Sequence, residues 1–93
     1  MKMKSVYKVP DGKLIKIFIK YNASSKTIES ITIAGDFFAY PEESIQQLEQ
    51  VLRGKPLDEK KLETMIKDFV KDNQVEFIGV SPASITDAIM RCK

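Results

Sequence analysis

A chain of 93 residues with 43% hydrophobic and 30% charged side chains has the composition of a folded protein with one small core, so a single domain over residues 1–93 is expected. The net charge of +2 is too small for a dedicated nucleic-acid binder, and the lack of histidine removes the commonest general base and metal ligand. One cysteine, Cys92, excludes an internal disulfide and fits a reducing cytoplasm, while no apolar run nears the roughly 20 residues of a membrane span.

The charge is unevenly placed. Lys2, Lys4, Lys8, Lys13, Lys16, Lys20 and Lys26 precede position 40, against only Asp11, Glu29 and Asp36. Such lysines fit the solvated face and the edges of a sheet. Met1-Lys2-Met3-Lys4 is charged but leads into no apolar signal core.

Ser5 to Val9 reads as a short strand with Ser5, Tyr7 and Val9 on one face and Val6 and Lys8 on the other. Pro10-Asp11-Gly12-Lys13 has the chemistry of a turn: proline presets φ, aspartate bonds its own backbone and glycine takes positive φ. Lys13 to Tyr21 alternates cleanly, with Ile15, Ile17, Ile19 and Tyr21 one way and Lys16, Phe18 and Lys20 the other. Phe18 on the lysine face needs cover, from a lysine stem or from a partner. After the Asn22–Lys26 turn, Thr27 to Ala34 makes a third strand with Ile31 and Ile33 on one stripe and Ile28, Thr32 and Ala34 on the other.

At Ile33-Ala34-Gly35-Asp36-Phe37-Phe38 the period changes from two to 3.6. Pro41 fits the first turn of a helix, and Glu42 and Glu43 suit the positive end of its dipole. Ile45, Leu48, Val51 and Leu52 form its apolar stripe, Arg53 falls in its last turn and Gly54 follows its end. Asp58 caps a second helix, with Leu57 and Leu62 spaced as a hydrophobic staple and Leu62, Met65, Ile66, Phe69 and Val70 facing inward. That helix ends near Lys71-Asp72-Asn73. Val75 to Val80 is either a short extended segment or a connection dipping into the core. Ser81-Pro82 opens a last helix whose inner face is Ile85, Ala88, Ile89 and Cys92. The order β-β-β-α-α-(β)-α describes an α+β domain: a three-stranded antiparallel meander followed by helices packed on one face.

Little in this chain can carry a reaction. Without histidine no hydrolytic triad forms around any serine. Asp36, Glu42 and Glu43 fit helix capping better than metal binding. Gly12-Lys13 lacks the glycine spacing and the Ser or Thr of a phosphate loop. Cys92 reads as a small buried hydrophobe. Phe37 and Phe38 are adjacent at a corner and so point apart; both fill the core, or one is an interface anchor, or one lines a ligand pocket.

Val9-Pro10-Asp11-Gly12-Lys13-Leu14-Ile15-Lys16-Ile17, then Ile33–Phe38 with Pro41-Glu42-Glu43, then Leu48-Glu49 to Leu52 and Gly54, and finally Ile78–Pro82 with Ile85 and Ala88-Ile89, resemble the C-terminal accessory domain of lipoate–protein ligases. The likeness spans nearly everything after Tyr7, and Gly35-Asp36-Phe37-Phe38 is its most specific part. It implies the fold just described, similar also to iron–sulfur scaffold proteins, whose cluster-binding cysteines this chain lacks. The catalytic domain and its lysine are absent, so the resemblance is to the small subunit of a two-part ligase. It implies binding to a catalytic large subunit and a part in activating lipoate with ATP to lipoyl-AMP, before transfer to an acceptor lysine. Lipoate, ATP and Mg2+ are then implied for the assembled ligase and none for this chain alone. Acceptor lipoyl domains are indirect partners, with neither nucleic acid nor membrane involved, and no residue here is catalytic. Contact or cleft positions are expected at Asp11, Gly12, Lys13, Gly35, Asp36, Phe37 and Phe38. The alternative is a free-standing regulatory domain that binds a small molecule or a protein.

Overall fold

In the computed structural model, which describes residues 1–93, the alternating strands pair as their patterns require. β1 (Lys2–Lys8), β2 (Leu14–Asn22) and β3 (Thr27–Gly35) form an antiparallel sheet in the order β1-β2-β3. Ile15, Ile17 and Ile19 are all buried on its inner face, and Ser5 and Tyr7 lie on the same side of β1. β1 starts three residues earlier than the apolar alternation suggests, because Lys2, Met3 and Lys4 continue the pairing to Lys20, Ile19 and Phe18.

One face assignment is overturned. Ile28 is fully buried with Ile31 and Ile33, not on the opposite stripe with Thr32 and Ala34. The register steps between Lys20, opposite Ser30, and Tyr21, opposite Ile28, so Glu29 is an extra residue. Such a bulge shifts side-chain parity by one. It keeps Tyr21 and Ile28 on the core side together.

The helices cover that inner face. α1 (Ser44–Leu52) lies along β3, and α3 (Pro82–Met90) lies over β1 and β2. α2 (Glu59–Asp72) packs on α3 and α1. Leu48 and Leu52, Leu62, Ile66 and Phe69, and Ile85, Ala88 and Ile89 meet the sheet isoleucines in one core. Val51, expected in the α1 stripe, is exposed; buried Ser44, at the first position of α1, lies on the inner face instead. The hydroxyl of Ser44 has no hydrogen-bond partner there.

The N-caps of α2 and α3 follow the sequence. Asp58 accepts from the Lys61 N–H (3.0 Å), and Ser81 and Ser84 form a reciprocal capping box with Pro82 opening α3. Gly54 takes φ +79° just past α1, as expected, with Arg53 as the C-cap residue itself. The start of α1 differs. Pro41 lies before the helix, after a cis Tyr40-Pro41 bond, and Glu42 and Glu43 form a turn leading to Ser44. Glu43 occupies the cap position without a side-chain cap bond. The residues between Phe38 and Tyr40 have paired as a strand and so are not available to the helix.

The free edge of β3 is sealed from the helix layer. The Glu49 carboxylate accepts from the Ile33 N–H (2.7 Å), Lys55 O accepts from the Ile28 N–H (2.8 Å), and the Gly54 N–H donates to Ile28 O (2.6 Å). Lys93 covers part of the other edge through paired backbone bonds with Lys4. Backbone groups left unpaired at such an edge would be a template for another strand.

Candidate functional site

Three separate segments converge at one corner. The Asp11-Gly12 turn is closed by the Val9 N–H on Lys13 O (3.1 Å) and the Gly12 N–H on Val9 O (2.9 Å), with Asp11 at φ +57°. The Lys13 N–H then donates to Gly79 O (3.0 Å), which ties the turn to the segment before α3. A Cβ on Gly12 would sit 2.8 Å from Gly79 O, so the close approach needs glycine.

The second tie runs from Leu14 to the end of β3. The Leu14 N–H donates to Asp36 Oδ1 (2.7 Å), and the Asp36 N–H donates to Leu14 O (3.3 Å). Gly35 sits over that same carbonyl at φ +151°, where any Cβ would collide with Leu14 O. Asp36 is thus a backbone clamp for the corner and not the helix-capping acid that the sequence suggested, because the N–H it satisfies belongs to strand residue Leu14.

Beyond the clamp the chain makes β4 (Phe38–Tyr40), which pairs antiparallel with β5 (Glu76–Ile78). The ambiguous Val75–Val80 segment is therefore mostly extended. Period-two alternation gives this ribbon two unlike faces. Ala39 is buried and Phe77 packs on the core. Phe38, Tyr40 and Ile78 point the other way and are 58%, 49% and 43% exposed. Phe37 packs against the core while Phe38 faces out, so the two rings divide between inside and outside.

All seven expected positions, Asp11, Gly12, Lys13, Gly35, Asp36, Phe37 and Phe38, are thus drawn to this end of the molecule by direct bonds or by sequence adjacency. Tyr40, Ile78 and Gly79 belong with them and were not anticipated. The signal was present: Phe38-Ala39-Tyr40 and Glu76-Phe77-Ile78 each alternate, but three residues are too few to separate a strand from a loop.

The corner carries no nucleophile and base in contact. No group of three His, Cys, Asp or Glu side chains is placed to hold a metal ion. Cys92 lies elsewhere, half-buried beside Ser5 and Ala88, and burial pushes its thiol above its ordinary pKa; a weaker hydrogen bond with Ser5 pulls the other way. A protonated thiol is a poor nucleophile. What the corner offers is apolar contact surface held on a rigid frame.

The family model for the bacterial lipoate protein ligase C-terminus matches residues 12–89. The chain belongs to this family. The matched range holds Gly12, the whole Gly35–Phe38 corner, both ribbon strands and nearly all of α3. Within the lipoate ligase C-terminal family, the chain is 34% identical over 73 residues to lipoate-protein ligase A subunit 2 of Thermoplasma acidophilum, covering 78% of this chain and 74% of that protein. It is also similar to a chain in a solved structure from the archaeal lipoylation system of the same organism, a bi-partite lipoate protein ligase and its E2 lipoyl domain. That match has a TM-score of 0.82 at 32% identity, over 96% of this chain and 94% of the other. The meander with helices on one face is therefore the architecture of this family, as the sequence led us to expect.

Proposed function

We propose that this chain is the small, non-catalytic subunit of a two-part lipoate–protein ligase. It binds the catalytic large subunit and is required for activation of lipoate by ATP to lipoyl-AMP, before the lipoyl group passes to a lysine of an acceptor protein. The observation that carries the reading is the end-to-end likeness to a chain of the bi-partite ligase system. The exposed Phe38, Tyr40 and Ile78 support it, because two half-exposed rings beside an aliphatic side chain on a hydrogen-bonded ribbon are the kind of anchor a subunit interface uses.

In this mechanism the small subunit contributes no reacting group. Lipoate, ATP and Mg2+ belong to the assembled ligase, and the small subunit would bind preferentially to the conformation of the large subunit in which the loops around them are ordered. Differential affinity is the only means by which it shifts that equilibrium. Raising a competent state from 1% to 99% takes about a 10⁴-fold preference for that state.

The test is lipoyl-adenylate formation by the large subunit with and without this chain. Adenylate is expected only, or overwhelmingly, when both are present. A large subunit that is fully active alone would sink the activation role.

A further inference from the structure

We propose that the outer face of the β1-β2-β3 sheet is a second docking surface, which receives an acidic face of the same large subunit. This rests on the reading above and names a further contact with that partner. The register places Lys2 opposite Lys20, Lys4 opposite Phe18, and Val6 opposite Lys16. Like charges directly across a ladder are destabilising. Little inside the chain offsets them: β1 and β2 carry no acid, and the positions of β3 opposite β2 on this face are Ser30, Thr32 and Ala34. The one acid of β3 is Glu29, at the bulge beside Ser30, and it makes no ion pair; the single ion pair of the molecule joins Lys67 to Glu63 on α2. A face kept only for solubility gains from mixed signs. This face carries Lys2, Lys4, Lys16 and Lys20 against Glu29 alone, so most of its counter-charge comes from outside.

The centre of the face is apolar. Val6 is 64% and Phe18 49% exposed, and the register makes them diagonal neighbours, within reach of an aromatic side chain. An open groove of about 530 Å³ runs past Phe18 between Lys2, Lys4, Lys20, Thr32 and Lys93. An apolar centre inside a charged rim is the anatomy of a protein interface. A single exposed ring on the face argues for protein over single-stranded nucleic acid, which is held by several stacking platforms.

Area points to the same partner. Phe38, Tyr40 and Ile78, already half-exposed, can bury roughly 300 Å² between them. A stable interface takes about 800 Å² from each partner. Those three side chains supply less than half of that, which leaves room for a further contact surface such as the sheet face.

The experiment measures the affinity of the reconstituted pair at about 50 and 300 mM salt, where screening differs strongly. Three forms of this chain are compared: wild type, Lys4→Glu/Lys20→Glu, and Phe18→Ser. The wild-type pair is expected to weaken with salt. The charge-reversed form loses at least about tenfold in affinity and most of its salt dependence, and Phe18→Ser weakens binding while keeping the salt dependence. If the charge-reversed chain assembles as tightly as wild type, the inference is wrong while the subunit reading stands. If the wild-type pair does not assemble at all, the subunit reading itself fails and takes the inference with it. Unchanged assembly with slower transfer to the acceptor domain would move the surface to the acceptor, and tight oligonucleotide binding without an effect on assembly would move it to nucleic acid; either overturns the proposal. Should the double variant misfold by circular dichroism, salt-independent assembly of the wild type overturns it equally.

Discussion

At the scale of single residues, the corner depends on atoms that are missing as much as on those present. Gly12 and Gly35 leave room for Gly79 O and Leu14 O, and the Asp36 carboxylate fills the remaining hydrogen-bonding need of Leu14. Asp36 invites a catalytic reading by its type and place, yet its partner is a backbone N–H. Cys92 also has a bland role with a measurable consequence. Its thiol pKa is raised by burial, so the thiol stays protonated near neutrality. Alkylation with iodoacetamide should be slower than for an unfolded peptide of the same sequence and should accelerate only at higher pH. A group whose folded pKa is raised contributes stability below its unfolded pKa and loses it as pH rises through the folded value. Cys92→Ser should therefore soften the alkaline fall in stability. Alkylation as fast as in the peptide would show that the thiol is not protected.

At the scale of elements, local chemistry accounts for most boundaries and tertiary contact for the exceptions. Ser81 accepts from the Ser84 N–H, Ser84 Oγ accepts from the Ser81 N–H, and Pro82 removes one donor that α3 would leave unpaired. Ser81→Ala should cost about 1 kcal/mol in denaturant unfolding, as loss of a good cap does; no change in the midpoint would mean that α3 is held by its buried face alone. The entry to α1 shows the opposite case. Pro41 and two acids look like a helix start, but Phe38–Tyr40 is taken up by pairing with Glu76–Ile78, and α1 begins only at Ser44. β3 shows a third kind of departure: a single extra residue, Glu29, reverses the face on which Ile28 lies.

At the scale of the whole molecule, the two phenylalanines separate folding from assembly. Phe37 packs on the core, so Phe37→Ala should destabilise the chain by about 2–4 kcal/mol, at the low end of large core truncations because the ring is only partly buried. Phe38→Ser should leave unfolding within about 0.5 kcal/mol of wild type, and should weaken assembly with the large subunit. Unaltered assembly in that variant would remove the ribbon from the interface. The sequence by itself determined the α+β class, the three-stranded meander and the caps of α2 and α3, because alternation, turn residues and caps are local signals carried by residues within a few positions of one another. Only the tertiary structure decided the ribbon of β4 and β5, the bulge at Glu29, the inward Ser44 in place of Val51, and the joining of Tyr40, Ile78 and Gly79 to the corner. Each of these turns on a partner tens of residues away or on a one-residue shift in register, and neither leaves a mark in local periodicity.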